Sequence, residues 1–92
     1  MITEKFKLMQ QCIDDYLTRN GKQSIDEIEA NSELARQGLM VDDVSHPGRP
    51  LRELLSYMRD NNLLPRNVRQ SFGAWVIRNS RIFQVRQQIF LF

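Results

Sequence analysis

The sequence has one cysteine and one histidine, and these two scarcities limit what the protein can be. A single cysteine excludes an internal disulfide, and Cys12 with His46 cannot form the Cys/His cluster of a structural zinc site. No apolar run approaches the roughly 20 residues that cross a bilayer. Residues 1–10 also lack the long apolar stretch of a secretion signal. We therefore expect a cytoplasmic protein that needs no metal and no other cofactor.

The second half of the sequence lacks lysine and almost lacks acidic residues. Residues 49–92 contain eight arginines against Glu53 and Asp60, which gives a net charge of +6. Residues 1–48 contain five basic and nine acidic residues, which gives a net charge of −4. Such an asymmetry favours a polyanionic partner or a complementary protein surface. At 92 residues and 41% hydrophobic composition, the chain is expected to fold as one globular domain, residues 1–92.

Apolar spacing predicts a first helix over residues 3–19, ended by Asn20-Gly21 because glycine accepts the left-handed conformation found after helices. Ser24 and Glu27 match a capping box, which predicts that a second helix starts near residue 25 and ends before Gly38. The residues expected on the inner faces are Ile2, Phe6, Met9, Ile13, Tyr16 and Leu17 in the first helix, and Ile28, Leu34 and Ala35 in the second.

Two groups of acidic residues are candidates for chemistry. Asp42, Asp43 and His46 lie in a connector over residues 39–48 and are the only candidates for acid/base catalysis. No second histidine, activated serine or glycine-rich phosphate loop accompanies them, so the set is incomplete and we expect no enzyme. The second group is Asp26, Glu29 and Glu33, which are spaced to lie along one side of a helix. These carboxylates are a possible metal site, but acidic residues at this spacing more often form a helix face that is exposed to solvent.

The cysteine has two interpretations. Cys12 lies beside the apolar stripe of the first helix, where it is either a reactive thiol or a small residue at the edge of the core. We favour the edge of the core.

The third predicted helix has the clearest pattern in the chain. Pro50 suits its first turn, because the missing N–H would be unpaired there, and Asn61-Asn62 ends it. Leucines and a methionine at i, i+3, i+4 and i+7 form the inner face. Glu53 and Asp60 lie nearer the centre of the exposed side. The inner face is Leu51, Leu54, Leu55 and Met58, and a polar flank is formed by Arg49, Arg52, Ser56 and Arg59.

A β-hairpin is predicted after the third helix. Residues 67–70 and 74–77 are rich in β-branched and aromatic side chains, and the loop over residues 71–73 ends in glycine. A helix through Val68, Phe72 and Val76 also fits the spacing, but Gly73 would destabilise it by about 0.5–1 kcal/mol. We therefore prefer the hairpin and keep the helix as the alternative.

The last residues, RIFQVRQQIFLF over 81–92, fit a helix and a strand equally well, so periodicity does not decide their conformation. A chain of this size has difficulty burying so many apolar side chains, and exposed apolar patches usually mark interfaces. We therefore expect a homodimer in which the tail, residues 80–92, is the packing or dimerisation segment. The expected interface residues are Phe83, Ile89, Phe90, Leu91 and Phe92.

This order of elements resembles a winged helix-turn-helix domain over residues 3–79. The resemblance implies a mainly α fold with a small β-hairpin (α+β), a third helix that enters the DNA major groove, and a hairpin that touches the backbone or the minor groove. The connector over residues 38–48 is longer than the tight turn usual in that family. The implied DNA contacts are Arg49, Arg52, Ser56 and Arg59 on the third helix, and Arg66, Asn67, Arg69 and Ser71 in the wing.

The sequence therefore supports two possible functions. The first is a binding protein for double-stranded DNA, either a small regulator or a mobile-element accessory factor, in which arginines neutralise phosphates. The alternative is a protein–protein interaction module that uses the apolar tail and Trp75 with arginines at its rim, since Trp and Arg are enriched at interface hot spots. Salt dependence separates the two, because phosphate binding weakens steeply with ionic strength.

Overall fold

The computed structural model describes residues 2–82, and within them the chain forms three helices and one three-stranded antiparallel sheet. The predicted α+β class is confirmed. The predicted interface residues of the tail, from Phe83 to Phe92, lie outside the described residues. In chain order the elements are α1 (Ile2–Arg19), β1 (Ser24–Asp26), α2 (Glu27–Arg36), α3 (Arg49–Asp60), β2 (Val68–Ser71) and β3 (Ala74–Arg78).

Helix α1 ends as its sequence predicts. Gly21 has a φ of +63°, and the backbone N–H of Lys22 donates to the carbonyl of Leu17 at 2.9 Å. This left-handed closure satisfies a carbonyl that the last turn would otherwise leave unpaired.

Strand β1 was not predicted, and the predicted capping box is wrong. Ser24 lies in a strand instead of capping a helix, because β1 pairs antiparallel with β3, with Ile25 opposite Ile77. The residue that caps α2 is Asp26, whose Oδ1 accepts from the backbone N–H of Glu29 at 2.8 Å. The second helix therefore starts two residues later than expected.

The other half of the predicted capping box has a tertiary role. Glu27 is buried, and its carboxylate accepts from the backbone N–H of Trp75 at 3.0 Å. This bond joins the start of α2 to strand β3. Glu27, which occupies a position typical of a helix cap, therefore holds α2 against the sheet.

The core lies between the inner faces of the three helices and one face of the sheet. In α2 the buried apolar residues are Ala30 and Leu34, whereas Ile28 is exposed and Ala35 is half-buried, so the predicted inner face of this helix is partly wrong. The buried residues Glu27, Ala30, Asn31 and Leu34 recur at i, i+3, i+4 and i+7, and Ile28 lies outside this stripe. The buried apolar set is Phe6, Met9, Ile13, Leu17, Ile25, Ala30, Leu34, Leu51, Leu55, Met58, Val68, Trp75 and Ile77.

A fully buried asparagine connects α2 to α3 across the long connector. The Asn31 side chain donates to the carbonyl of Val41 at 3.0 Å and accepts from the backbone N–H of Leu51 at 2.8 Å. Gly48, at the start of α3, provides no side-chain cap. Asn31 therefore supplies from the neighbouring helix the acceptor that a local cap would normally supply.

The hairpin is confirmed over the helical alternative. Strands β2 and β3 pair antiparallel with Val68 opposite Ile77 and Ser71 opposite Ala74, so the sheet order is β1-β3-β2. Because Ser71 is itself paired, the loop contains two residues and not the predicted three. The complete order of helix, strand, two helices and hairpin is compatible with a winged-helix-like architecture.

Candidate nucleic-acid interface

The predicted arginine flank of α3 faces solvent. Arg49 and Arg59 are about half exposed, and Arg52 and Ser56 are half-buried. Arg49 Nε donates to Glu53 at 2.9 Å, and Arg59 Nε donates to Asp60 at 3.0 Å. Exposed pairs of this kind contribute about 0–1 kcal/mol, so exchanging a carboxylate for another anion costs little.

Arg59 joins this flank to the hairpin. Its Nη1 donates to Gln70 Oε1 on β2 at 2.6 Å, and its guanidinium lies 5.8 Å from the centroid of the Trp75 ring. A cation over an aromatic face contributes about 0.5–1 kcal/mol at a partly exposed site. Arg59 therefore has a structural role as well as a surface position, and α3 and the hairpin form one continuous surface.

Two arginines of the predicted wing are exposed and free of carboxylates. Arg66 precedes β2 and Arg69 lies within it. No carboxylate of the described chain lies within 4.0 Å of either guanidinium. Arg52 on α3 likewise has no carboxylate within 4.0 Å of its guanidinium among residues 2–82. These three positive charges are available to an anion without breaking an ion pair within the described residues.

Asn67 does not belong to this surface, so its predicted DNA contact is wrong. Its side chain is only 5% exposed and donates to Gln10 Oε1 at 2.8 Å and to the carbonyl of Arg78 at 3.0 Å. These bonds tie the entrance of the hairpin to α1. Ser71, also predicted, is half-buried at the end of β2.

The tip of the hairpin carries Phe72, which has no predicted role beyond its place in the loop. Phe72 has a φ of +51° and Gly73 a φ of +82°, the two positive values of a type I′ turn. Such turns favour Asn-Gly, because residues other than Gly, Asn and Asp lose about 1–2 kcal/mol in the left-handed conformation. The Phe72 side chain is fully exposed, at 107% of its reference area. The signal in the sequence was a bulky aromatic placed directly before a turn glycine.

A second missed surface residue is Tyr57. Its side chain is 52% exposed on α3. Its position i+4 from Glu53 and i−3 from Asp60 places it near the centre of the exposed side. A phenolic hydroxyl there is able to donate a hydrogen bond to a phosphate or a base edge.

The candidate catalytic residues shape the connector. Asp42 Oδ1 accepts from the backbone N–H groups of Asp43 and Gly48 at 2.8 and 3.0 Å. Asp43 Oδ1 accepts from the backbone of Ser45 at 2.9 Å. His46 Nδ1 lies 3.7 Å from Asp43 Oδ2. These carboxylates therefore satisfy turn amides, which is the usual role of Asp in loops.

The predicted carboxylate row on α2 divides into three separate roles. Asp26 caps the helix, and Glu29 accepts from Tyr16 at 2.6 Å and from Lys22 at 2.8 Å. Glu33 is 5% exposed, and the hydrogen bond from Arg36 holds the pKa of its carboxyl below the usual range. Across the described residues, no group of three or more His, Cys, Asp or Glu side chains is placed to hold a metal ion.

Cys12 lines an open cleft of about 300 Å³ together with Glu33 and Leu39. Burial raises the pKa of its thiol, and the nearby Glu33 carboxylate adds to the effect. A raised pKa lowers the thiolate fraction at neutral pH, which is unfavourable for a reactive cysteine. Its half-buried position at the edge of the core agrees with the interpretation favoured from the sequence.

Trp75 is not part of any described surface. Its side chain is 1% exposed in the core, so its predicted role as an interface residue is wrong. The reason is strand register, because Trp75 points to the same side of β3 as the buried Ile77. Its indole N–H has no hydrogen-bond partner in the described chain.

Among the described helices, none combines the length and apolar composition that crossing a membrane requires. Comparison of the chain with protein-family models, with curated proteins and with solved structures gave no match.

Proposed function

We propose that this chain is a winged-helix DNA-binding protein, acting as a small regulator or as an accessory factor of a mobile element. The observation that carries the proposal is the bond between Arg59 and Gln70, which brings the arginine flank of α3 against the hairpin. Arg52 lies half-buried on α3, and Arg66 and Arg69 are exposed before and within β2, with Arg69 on the opposite face of the sheet from Gln70. The proposed partner is double-stranded DNA.

Shape supports a duplex. A single helix, α3, projects its polar side beside a two-stranded hairpin, and the B-DNA major groove is about 12 Å wide, which admits an α-helix. In the resembled family the third helix occupies this groove while the hairpin reaches the backbone or the minor groove. The corresponding parts of this chain are α3 and the β2–β3 hairpin.

Charge supports the same partner. Residues 49–82 contain seven arginines against two acidic residues, a net charge of +5. The planar guanidinium of arginine binds phosphate or guanine with two parallel hydrogen bonds. Glu53 and Asp60 are the unfavourable groups on this helix, and each is paired with an arginine of the flank, Arg49 and Arg59 respectively, which offsets its negative charge.

The test is binding of the protein to a random duplex, followed by fluorescence anisotropy at about 50 and about 200 mM salt. We expect affinity to fall at least about tenfold between the two conditions, because several arginines release counterions from the DNA. Absence of binding at the lower salt concentration would reject the proposal. A double-stranded RNA of the same length serves as the control, since its deep, narrow major groove does not admit a helix.

We also propose that the protein is a homodimer, which would present two copies of α3 to DNA. The support is the apolar composition of residues 83–92 in the sequence. Replacing Phe90 and Phe92 together by aspartate should convert a dimer into a monomer in sedimentation velocity, because charged groups resist burial in an apolar interface. A wild-type protein that sediments as a monomer at all accessible concentrations would contradict the dimer.

A further inference from the structure

The tip of the hairpin exposes an aromatic side chain that buries none of its surface against the described residues. Phe72 is fully exposed and adopts a left-handed backbone conformation that a residue with a Cβ avoids. The hairpin itself is closed without it, by the pairing of Ser71 with Ala74 and by a hydrogen bond from Gln70 Nε2 to the Gly73 carbonyl at 3.3 Å. Within residues 2–82, neither the exposure nor the strain of Phe72 is explained by a contact of its side chain.

The surroundings of Phe72 are basic. Gln70, two residues before it, touches Arg59 of α3, so the tip extends about 7 Å beyond the point where helix and hairpin meet. Arg69 lies on the same strand and is exposed. Among the described residues 66–78 there is no Asp or Glu. An apolar tip on a segment whose charged residues are all arginines complements a ligand with a negative surface and an apolar interior.

A DNA duplex is such a ligand, because its stacked bases lie beneath two rows of phosphates. Proteins that bend DNA insert apolar side chains between neighbouring base pairs from the minor groove, which partly unstacks them and kinks the duplex. We propose that Phe72 is a wedge of this kind. Arg69 would hold the adjacent phosphates while the phenyl ring enters one base step. This inference rests on the proposed DNA-binding function and extends it from binding to bending.

The test variant is Phe72→Asn. Asparagine tolerates the left-handed region, and Asn-Gly is a preferred pair in type I′ turns, so the hairpin should keep its structure. We expect its melting temperature to stay the same or to rise by a few degrees, roughly up to 8 °C. Phe72→Leu is the matched control, because it keeps an apolar side chain and the backbone strain. Any loss of binding in Phe72→Asn alone is therefore not a loss of folding.

The probes are two duplexes of about 20 base pairs, one fully paired and one with a single central mismatch. A mismatched step costs less to unstack, so a wedge should prefer it. We expect wild type and Phe72→Leu to bind the mismatched duplex about five- to tenfold more tightly than the paired one. Phe72→Asn should bind both equally. Energy transfer between dyes at the two duplex ends should report bending by wild type and less bending by Phe72→Asn.

The outcomes separate this inference from the proposed function. If wild type binds duplex DNA with steep salt dependence but Phe72→Asn keeps the mismatch preference, the wedge is wrong and DNA binding stands. If wild type binds neither duplex, both proposals fail. If Phe72→Asn binds DNA normally and instead alters self-association in sedimentation velocity, Phe72 is a protein contact and the wedge is rejected.

Discussion

Replacing Arg52 and Arg69 together by alanine should weaken binding to duplex DNA on the order of 100-fold at about 0.1 M salt. Neither guanidinium has a carboxylate within 4.0 Å in the described chain, so removing them breaks no ion pair there. Each lost phosphate contact removes about one unit from the slope of log affinity against log salt. The double variant should therefore show a slope about two units shallower than wild type.

The matched control is the double variant Lys5→Ala, Lys22→Ala, which changes the net charge by the same amount. Lys5 is exposed on α1. Lys22 is exposed before β1, the edge strand farthest from β2, and pairs with Glu29 at 2.8 Å, an exposed pair whose loss costs about 0–1 kcal/mol. We expect this control to lose only a few-fold in affinity, because distant exposed charges are screened beyond about 10 Å at 0.1 M salt. Equal losses in the two double variants would mean that net charge, and not the proposed surface, determines binding.

Arg59 is left out of this variant for a structural reason. It contacts Gln70, Asp60 and the Trp75 ring, so replacing it changes the packing of α3 on the hairpin as well as the charge. A loss of affinity in Arg59→Ala would therefore not distinguish a missing phosphate contact from a displaced helix.

The second large effect is expected at Gly48, where the connector meets α3. Gly48 has a φ of +85°, and a Cβ placed there would lie 3.0 Å from both Cα and Cγ1 of Ile28. Gly48→Ala should therefore lower the free energy of unfolding by about 3 kcal/mol, which combines left-handed strain with overpacking against the α2 backbone. Urea unfolding measures this directly, and the thermal midpoint should fall by more than about 10 °C.

Gly38→Ala is the control for strain alone. Gly38 also has a positive φ, +75°, but a Cβ added to it would have no atom of the described residues within 4 Å. We expect a loss of only about 1 kcal/mol, the cost of the left-handed conformation. If the free energy of unfolding falls equally in the two variants, the connector can move away from Ile28 without further destabilising the fold. The close contact would then not determine where α3 lies.

The position of α3 depends on contacts that span the long connector. Besides the close approach of Gly48 to Ile28, the buried Asn31 bonds both the connector at Val41 and the first turn of α3 at Leu51. A connector longer than the usual tight turn leaves the two helices free to rotate unless such contacts fix them. These contacts are therefore as important to the proposed DNA surface as the arginines.

Elements that depend on local signals were predictable from the sequence. Helix α3 has apolar residues at i, i+3, i+4 and i+7 with proline in its first turn, and its predicted bounds agree with the observed Arg49–Asp60. Gly21 ends α1 through its left-handed conformation, and Gly73 marks the hairpin. In each case the information lies within a few neighbouring residues.

Elements that depend on distant partners were missed. Strand β1 is three residues long, and its pairing partners on β3 are about 50 positions later in the chain, so no local period reveals it. The capping-box prediction at Ser24 and Glu27 was wrong because the carboxylate of Glu27 accepts a hydrogen bond from the backbone of Trp75 and not from the start of its own helix. Asn67 and Trp75 were predicted at the surface but are buried, because their partners are distant in the chain: Asn67 bonds Gln10, and Trp75 packs in the core beneath the helices.

The sequence by itself determined the α+β class, the extents of α1 and α3, the hairpin, and the concentration of arginines after residue 48. Tertiary structure alone decided the third strand, the two-residue turn that raises Phe72 to the tip, and the packing of Arg59 against the hairpin. The physical reason is range: helix periodicity and turn conformations act between near neighbours, whereas strand pairing and burial join residues far apart in the chain. The sequence alone shows the arginines of the candidate surface, whereas only the tertiary structure shows how α3 and the hairpin pack together.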